Sequence, residues 1–369
     1  VILRTRPAKS AAKYASIWTE QGSPLLHWSA RQAELLQAEL AQRGHAVLVR
    51  HAMRYGAPSL GSVLDGLQAD GATRVLVLPL YPQYAAATTA STFDAVAAWA
   101  QRSRRMPELR FVNRYHDDAG YIRALAASVR AHWALHGRGQ KLVMSFHGVP
   151  ARSLTLGDPY HCECHKTARL LAEALGIGSR RLHRHLPEPA GPAKWLEPYT
   201  EPTVKLLAEQ GIKRIDAICP GFAADNLETL EEIAMEAKEA FIHAGGERFD
   251  FIDCLNDRPD WIGALADLSL QHLQGWPLGA VPPMHPAPAG AGDGGGRLIR
   301  RPPRAAASAP PAPAAAPAPQ RSPPAGTTTS GAAGTRPSGP RRWTAHCASA
   351  PRPAGPGSCP RPPARWGSL

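Results

Sequence analysis

The hydrophobic positions fall in short blocks separated by longer amphipathic stretches. Continuous apolar or β-branched runs occupy residues 46–50, 74–80, 109–115, 141–146, 214–219 and 249–254. Most do not alternate polar with apolar, the pattern of strands covered on both faces. Between them, apolar residues recur at helical spacing over residues 30–43, 60–70, 91–102, 119–134, 167–175, 201–210, 227–244 and 261–273. Strand followed by helix at this spacing predicts βαβ units, and therefore an α/β fold with parallel sheets flanked by helices. Two such sheets fit residues 1–277, divided as domains 1–140 and 141–277, the last helix packing back on the first. Two places break the pattern. No strand run precedes the first helical stretch. Residues 179–191 read SRRLHRHLPEPAG where a strand is due, and Arg and His followed by Pro187 and Pro189 do not suit a buried strand.

Composition changes the picture at one end. Residues 278–369 contain 11 Arg and one Asp, with no Lys, Glu, Phe, Tyr or Asn, in a background of Pro, Ala and Gly. Such a segment offers too little apolar surface to offset its ordering entropy, and is expected to be a disordered tail. The formal charge of the whole chain is +12, but residues 1–277 hold 31 Lys and Arg against 29 Asp and Glu. The basic character therefore belongs to scattered tail arginines, not to a structured basic face with interleaved aromatics, and nucleic-acid binding is not expected. The six cysteines suggest no disulfide framework, no signal peptide is visible, and no run approaches the ~20 apolar residues of a membrane span. A cytoplasmic protein is expected, with peripheral membrane contact and oligomeric state left open.

Four stretches could carry chemistry. His147, in MSFHGVP (144–150), lies where a buried run meets a Gly/Pro turn. Ligands of open parallel sheets bind just beyond the carboxyl ends of strands, so this imidazole is placed to take a proton or a divalent metal; a His capping the strand end is the plainer alternative. In PGFAADNLETLEE (220–232), Asp225, Glu228 and Glu232 are spaced to share one helical face. They could draw in a hard cation, or Asp225 and Glu228 could simply cap a helix. If both strands share a sheet, His147 and Glu228 emerge at one edge, where a base and a carboxylate suit proton removal coupled to metal entry. Residues 80–92, LYPQYAAATTAST, could line a flat apolar ligand or form an ordinary strand-to-helix turn. HCECH (161–165) reads more readily as a partly buried helix start than as a metal cluster, since no second ligand pair stands nearby.

Taken together, SFHGVP, GDPY, PGFAADNLETLEEI, LYPQYAAATTAST, the LND of 255–257 and KYASIWTEQGSPLL near the start resemble the ferrochelatase family from about residue 8 to residue 277. The resemblance implies two Rossmann-like domains with a porphyrin cleft between them, and insertion of Fe²⁺ into protoporphyrin, or coproporphyrin, to form haem. It implies that His147 and Glu228 bind the iron or handle pyrrole protons. Tyr84 and Ser91 would contact the porphyrin, Asp225 and Glu232 would form an acidic stripe behind the site, and Asp267 would be a second acid. Members of the family carry a first strand ahead of the position of Val1 and a strand in place of residues 179–191. No further cofactor is expected; Cys347 and Cys359 lie in the tail, so no iron–sulfur cluster is carried over. The alternatives are a chelatase for another metal, such as cobalt, in which a second histidine tends to stand at the place of Glu228, and a porphyrin or metal carrier without turnover.

Overall fold

The computed structural model describes residues 2–178, 182–185 and 196–278, all within a compact unit spanning Val1–Pro282. The expected tail lies outside the described residues, apart from Leu278. In chain order the elements are α1 (Ile2–Ile17), α2 (Pro24–Gln42), α3 (Leu60–Ala69), β1 (Arg74–Val77), a first π-helix (Ala86–Ala90), α4 (Ser91–Arg102), β2 (Glu108–Phe111), α5 (Ala119–His136) and β3 (Lys141–Ser145). There follow α6 (Ala151–Thr155), α7 (Tyr160–Leu175), β4 (Leu182–His185), α8 (Thr200–Glu209), β5 (Arg214–Ile218), a second π-helix (Glu228–Ala237), α9 (Lys238–His243), β6 (Arg248–Ile252) and α10 (Pro259–Leu273).

All strand pairs are parallel. One sheet pairs β1 with β2; the other has the order β4-β3-β5-β6. The α/β fold with helix-flanked parallel sheets thus matches the hydrophobic pattern. Strand β3 shows why its run is continuously apolar. Leu142 and Met144 enter a core with α5, α7 and α10, whereas Val143 enters a second core with α8, the second π-helix and α9. A strand buried on both faces has no position to give to polar residues.

Two strand expectations change. Residues 46–50 run extended but join no ladder among the described residues; Ala46 N–H instead donates to the Leu278 carbonyl at 2.9 Å, and Val49 N–H to Gln37 Oε1 at 2.9 Å. An apolar run becomes a strand only where a neighbouring strand accepts its hydrogen bonds. Conversely, residues 182–185 do form a strand, paired with β3 from Leu142↔Leu182 to Ser145↔His185. It lies at the sheet edge, where only one side needs a partner.

Helix ends follow local chemistry. α2 begins at Pro24, a residue suited to a first helical position because its missing N–H has no helical partner there. The helix expected over 227–244 is instead a ten-residue π-helix continued by α9. Its first turn is set by Asn226 Oδ1, which accepts Glu228 N–H at 2.9 Å, and Thr229 Oγ1, which accepts Asn226 N–H at 3.0 Å.

Candidate functional site

Strands β3 and β5 are neighbours, so the loops after them leave the sheet at one edge. His147 stands two residues beyond β3, and Glu228 opens the second π-helix beyond β5. Their side chains meet: His147 Nδ1 lies 2.6 Å from Glu228 Oε2. Desolvation would push the His147 pKa down, but the Glu228 hydrogen bond and the charges of Glu228 and Glu232 outweigh it and hold the imidazole above its ordinary value. Glu232 goes further. Burial, and then the neighbouring Glu228 charge, raise its carboxyl to about 7. Glu232 thus holds a proton that an isolated carboxyl would release near neutral pH, and His147 becomes a stronger base than an isolated imidazole.

His147 and Glu228 form part of the wall of a cavity of about 1050 Å³, at the upper end for small-molecule sites. Tyr81, Arg54 and Tyr55 line the same cavity, with apolar surface from Leu265 and Trp276. Both π-helices touch this cavity, through Ala87 and Thr88 of the first and Glu228 of the second. Such segments widen a helix locally and are found mostly at functional sites.

Buried amides fix the loops around the cavity. Gln83 Nε2 donates to Thr167 Oγ1 at 3.0 Å and to the Pro220 carbonyl at 3.1 Å. Gln32 Nε2 donates to the carbonyls of Ala223 and Asn256, both at 2.9 Å. Gly221 leaves room beside Gln83: a Cβ there would sit 3.4 Å from the Phe146 ring and 3.5 Å from Gln83 Oε1.

The other expected residues take different places. Asp225 is buried and fully engaged: it accepts from Thr229 Oγ1 at 2.9 Å, Asn256 Nδ2 at 2.7 Å and Cys254 N–H at 3.3 Å. In return Asn256 Oδ1 accepts Asp225 N–H at 2.9 Å. Asn256 has φ +44°, a left-handed conformation that Asn tolerates better than most residues. The LND motif is therefore the lock that positions the loop before Glu228. Tyr84 and Ser91 are not among the cavity-lining residues. Tyr84 N–H donates to the buried Glu163 carboxylate at 2.7 Å, and Ser91 Oγ accepts from Arg54 Nε at 2.8 Å, thereby holding a side chain that does line the wall. Asp267 is exposed on α10 and paired with Arg43 at 2.6 Å. HCECH begins α7, with Glu163 and Cys164 buried and His161 Nε2 3.1 Å from His165 Nε2.

Sequence reasoning missed Arg54 and Tyr55. Their signal was a chemistry-rich, aperiodic stretch, HAMRYGAPS, between two periodic ones. It also missed a second group: His132, Asp216 and Asp250 bring their ligand atoms within 4.8 Å of one another, away from this cavity. The four described cysteines form no disulfide with one another, and no helix among the described residues is long and apolar enough to cross a membrane.

The sequence model of the family described as Ferrochelatase matches residues 1–273. Ferrochelatase of Methylibium petroleiphilum is 65% identical over 282 residues, 76% of this chain and 78% of that protein. Ferrochelatase of a Polaromonas species is 63% identical over 280 residues, 76% of each chain. Among solved structures, SirB from Bacillus subtilis with Fe³⁺ aligns with a TM-score of 0.48 and 14% identity, over 68% of this chain and 92% of that one.

Proposed function

The chain belongs to the ferrochelatase family, and on that premise we propose that it inserts Fe²⁺ into protoporphyrin IX at the His147–Glu228 pair. The observation that carries the reading is the 2.6 Å contact between these side chains on the wall of a cavity large enough for a flat macrocycle. Residues 1–140 and 141–277 are read as two Rossmann-like domains, with the cavity as the cleft between them. The protein is read as cytoplasmic, requiring no resident cofactor, with metal and porphyrin as its ligands.

The reaction replaces two pyrrole N–H protons by one metal ion. Contacts at the macrocycle periphery hold it in a bent form, turning pyrrole lone pairs toward the incoming ion. Tyr81, Arg54 and Tyr55 stand on the wall that would make them. With Nδ1 tied to Glu228, His147 turns Nε2 to the cavity as the acceptor of a pyrrole proton. Glu228 balances the imidazolium that forms, and Glu232 is positioned to take a proton onward or to help strip water from the ion. Asp225 would act by holding the loop, since both its oxygens are already bonded.

The test is Fe²⁺ or Zn²⁺ insertion into protoporphyrin by the full chain, followed by absorbance. Removing a general base costs about 10²–10⁴ in kcat, so His147→Ala should lose that much while still binding porphyrin. Porphyrin binding without turnover in the unsubstituted protein would favour a carrier.

A further inference from the structure

We propose that His132, Asp216 and Asp250 form a second site, for one divalent cation of the Zn²⁺ class, that clamps α5 onto the sheet. The three residues come from α5, β5 and β6, and their ligand atoms lie within 4.8 Å of one another. Asp216 and Asp250 are register partners on adjacent parallel strands, so their side chains share one face of the sheet. Like charges placed opposite one another destabilise a sheet, and a cation between them removes that cost.

Two atoms identify where the ion would sit. Asp216 is 0% exposed, in a strand otherwise given to core residues. Its Oδ2 accepts Trp133 Nε1–H at 2.7 Å and Gly139 N–H at 2.8 Å, while Oδ1 is buried with no hydrogen-bond partner among the described residues. His132 Nε2 is likewise buried and unpartnered. A buried carboxylate oxygen without a donor is costly, and a buried imidazole nitrogen beside it supplies a ligand rather than a remedy. Asp250 is oriented by Arg248, whose Nε lies 2.9 Å from Oδ1 and 2.7 Å from Oδ2; each carboxylate oxygen keeps a second lone pair for an ion. Gly139 makes the close approach feasible: a Cβ there would come within 2.9 Å of Asp216 Oδ1.

The donor set decides the class of ion. One imidazole nitrogen and two carboxylate oxygens suit a borderline cation such as Zn²⁺, whereas Mg²⁺ prefers oxygen ligands and keeps its waters. The site is distinct from the cavity. Asp216 is in register with Leu142, and His147 lies five residues further along, about 16 Å at ~3.3 Å per residue. It also stands without the proposed chelatase activity.

The test uses the full chain carrying His147→Ala and Glu228→Gln, which disables the cavity pair. After chelator treatment, Zn²⁺ binding is measured by equilibrium dialysis and Tm by circular dichroism. The expected result is one equivalent of Zn²⁺, not displaced by excess Mg²⁺, with Tm raised by about 4–5 °C at a hundredfold excess over Kd. Adding His132→Ala should weaken binding by at least the roughly 10–100-fold that even outer-shell changes cost. Where that variant does not fold, Asp250→Asn serves instead. Absence of bound Zn²⁺ in the cavity-disabled protein, or an equivalent that survives loss of either ligand, would overturn the proposal.

Discussion

The His147–Glu228 contact joins an imidazole to the carboxylate that raises its proton affinity, and Glu232 holds a proton of its own. Both folded-state values are raised. Each group therefore contributes stability that is fully present below its unfolded pKa, about 6.5 for His and about 4.3 for Glu, and is lost as pH rises through the folded value. For Glu232 that loss runs from about 4.3 up to about 7, above which it is complete. A cation must displace these protons, so Zn²⁺ binding at the pair should tighten as pH rises from 6 to 8. Calorimetry across that range checks it, and Glu232→Gln should flatten the portion centred near 7; affinity independent of pH would mean that the retained protons lie off the metal path. Much at this scale was legible beforehand. His147 and Glu228 each sat at the end of a buried run, where parallel sheets place ligands. Asp225 was legible as an acid but not as a lock, because the partner that absorbs it, Asn256, lies 31 positions away.

Among elements, the loop before the second π-helix depends on side chains more than on ladders. Asp225 and Asn256 exchange two hydrogen bonds in a buried setting, so removing one partner strands the other. Asn256→Ala should cost about 1–3 kcal/mol in urea unfolding and also lower turnover, because Glu228 follows the same loop. Asn256→Gly would keep the left-handed backbone yet lose the side chain; equal losses in the two variants would assign the effect to the hydrogen bonds. The apolar blocks predicted five of the six strands in place or nearly so, since burial on two faces leaves a continuous signature. They failed at 46–50, whose apolar run has no ladder partner among the described residues, and at β4, whose Arg- and His-rich edge position carries none of that signature. The π-helices were invisible for a different reason: apolar spacing over a few turns does not separate π from α periodicity.

At the scale of the molecule, the described residues end at Leu278, and the family model matches residues 1–273. Truncation after Pro282 should leave porphyrin affinity and turnover within about twofold, below the 1.4 kcal/mol that a tenfold change represents; a large loss would assign residues 283–369 a structural role. The lining of the cavity comes from different stretches of chain, Arg54, Tyr55 and Tyr81 from one, His147 and Glu228 from another. Gln32 and Gln83 span the two, each reaching from the first stretch to acceptors in the second. These amides work as spacers that set the gauge of the gap. Shortening either to Asn withdraws its donor by about 1.5 Å, one carbon–carbon bond, and a misplacement of about 1 Å can cost about 10²-fold in rate. Two residues whose side-chain amides are spent on protein acceptors thus hold the tolerance to which the macrocycle and the metal are brought into line.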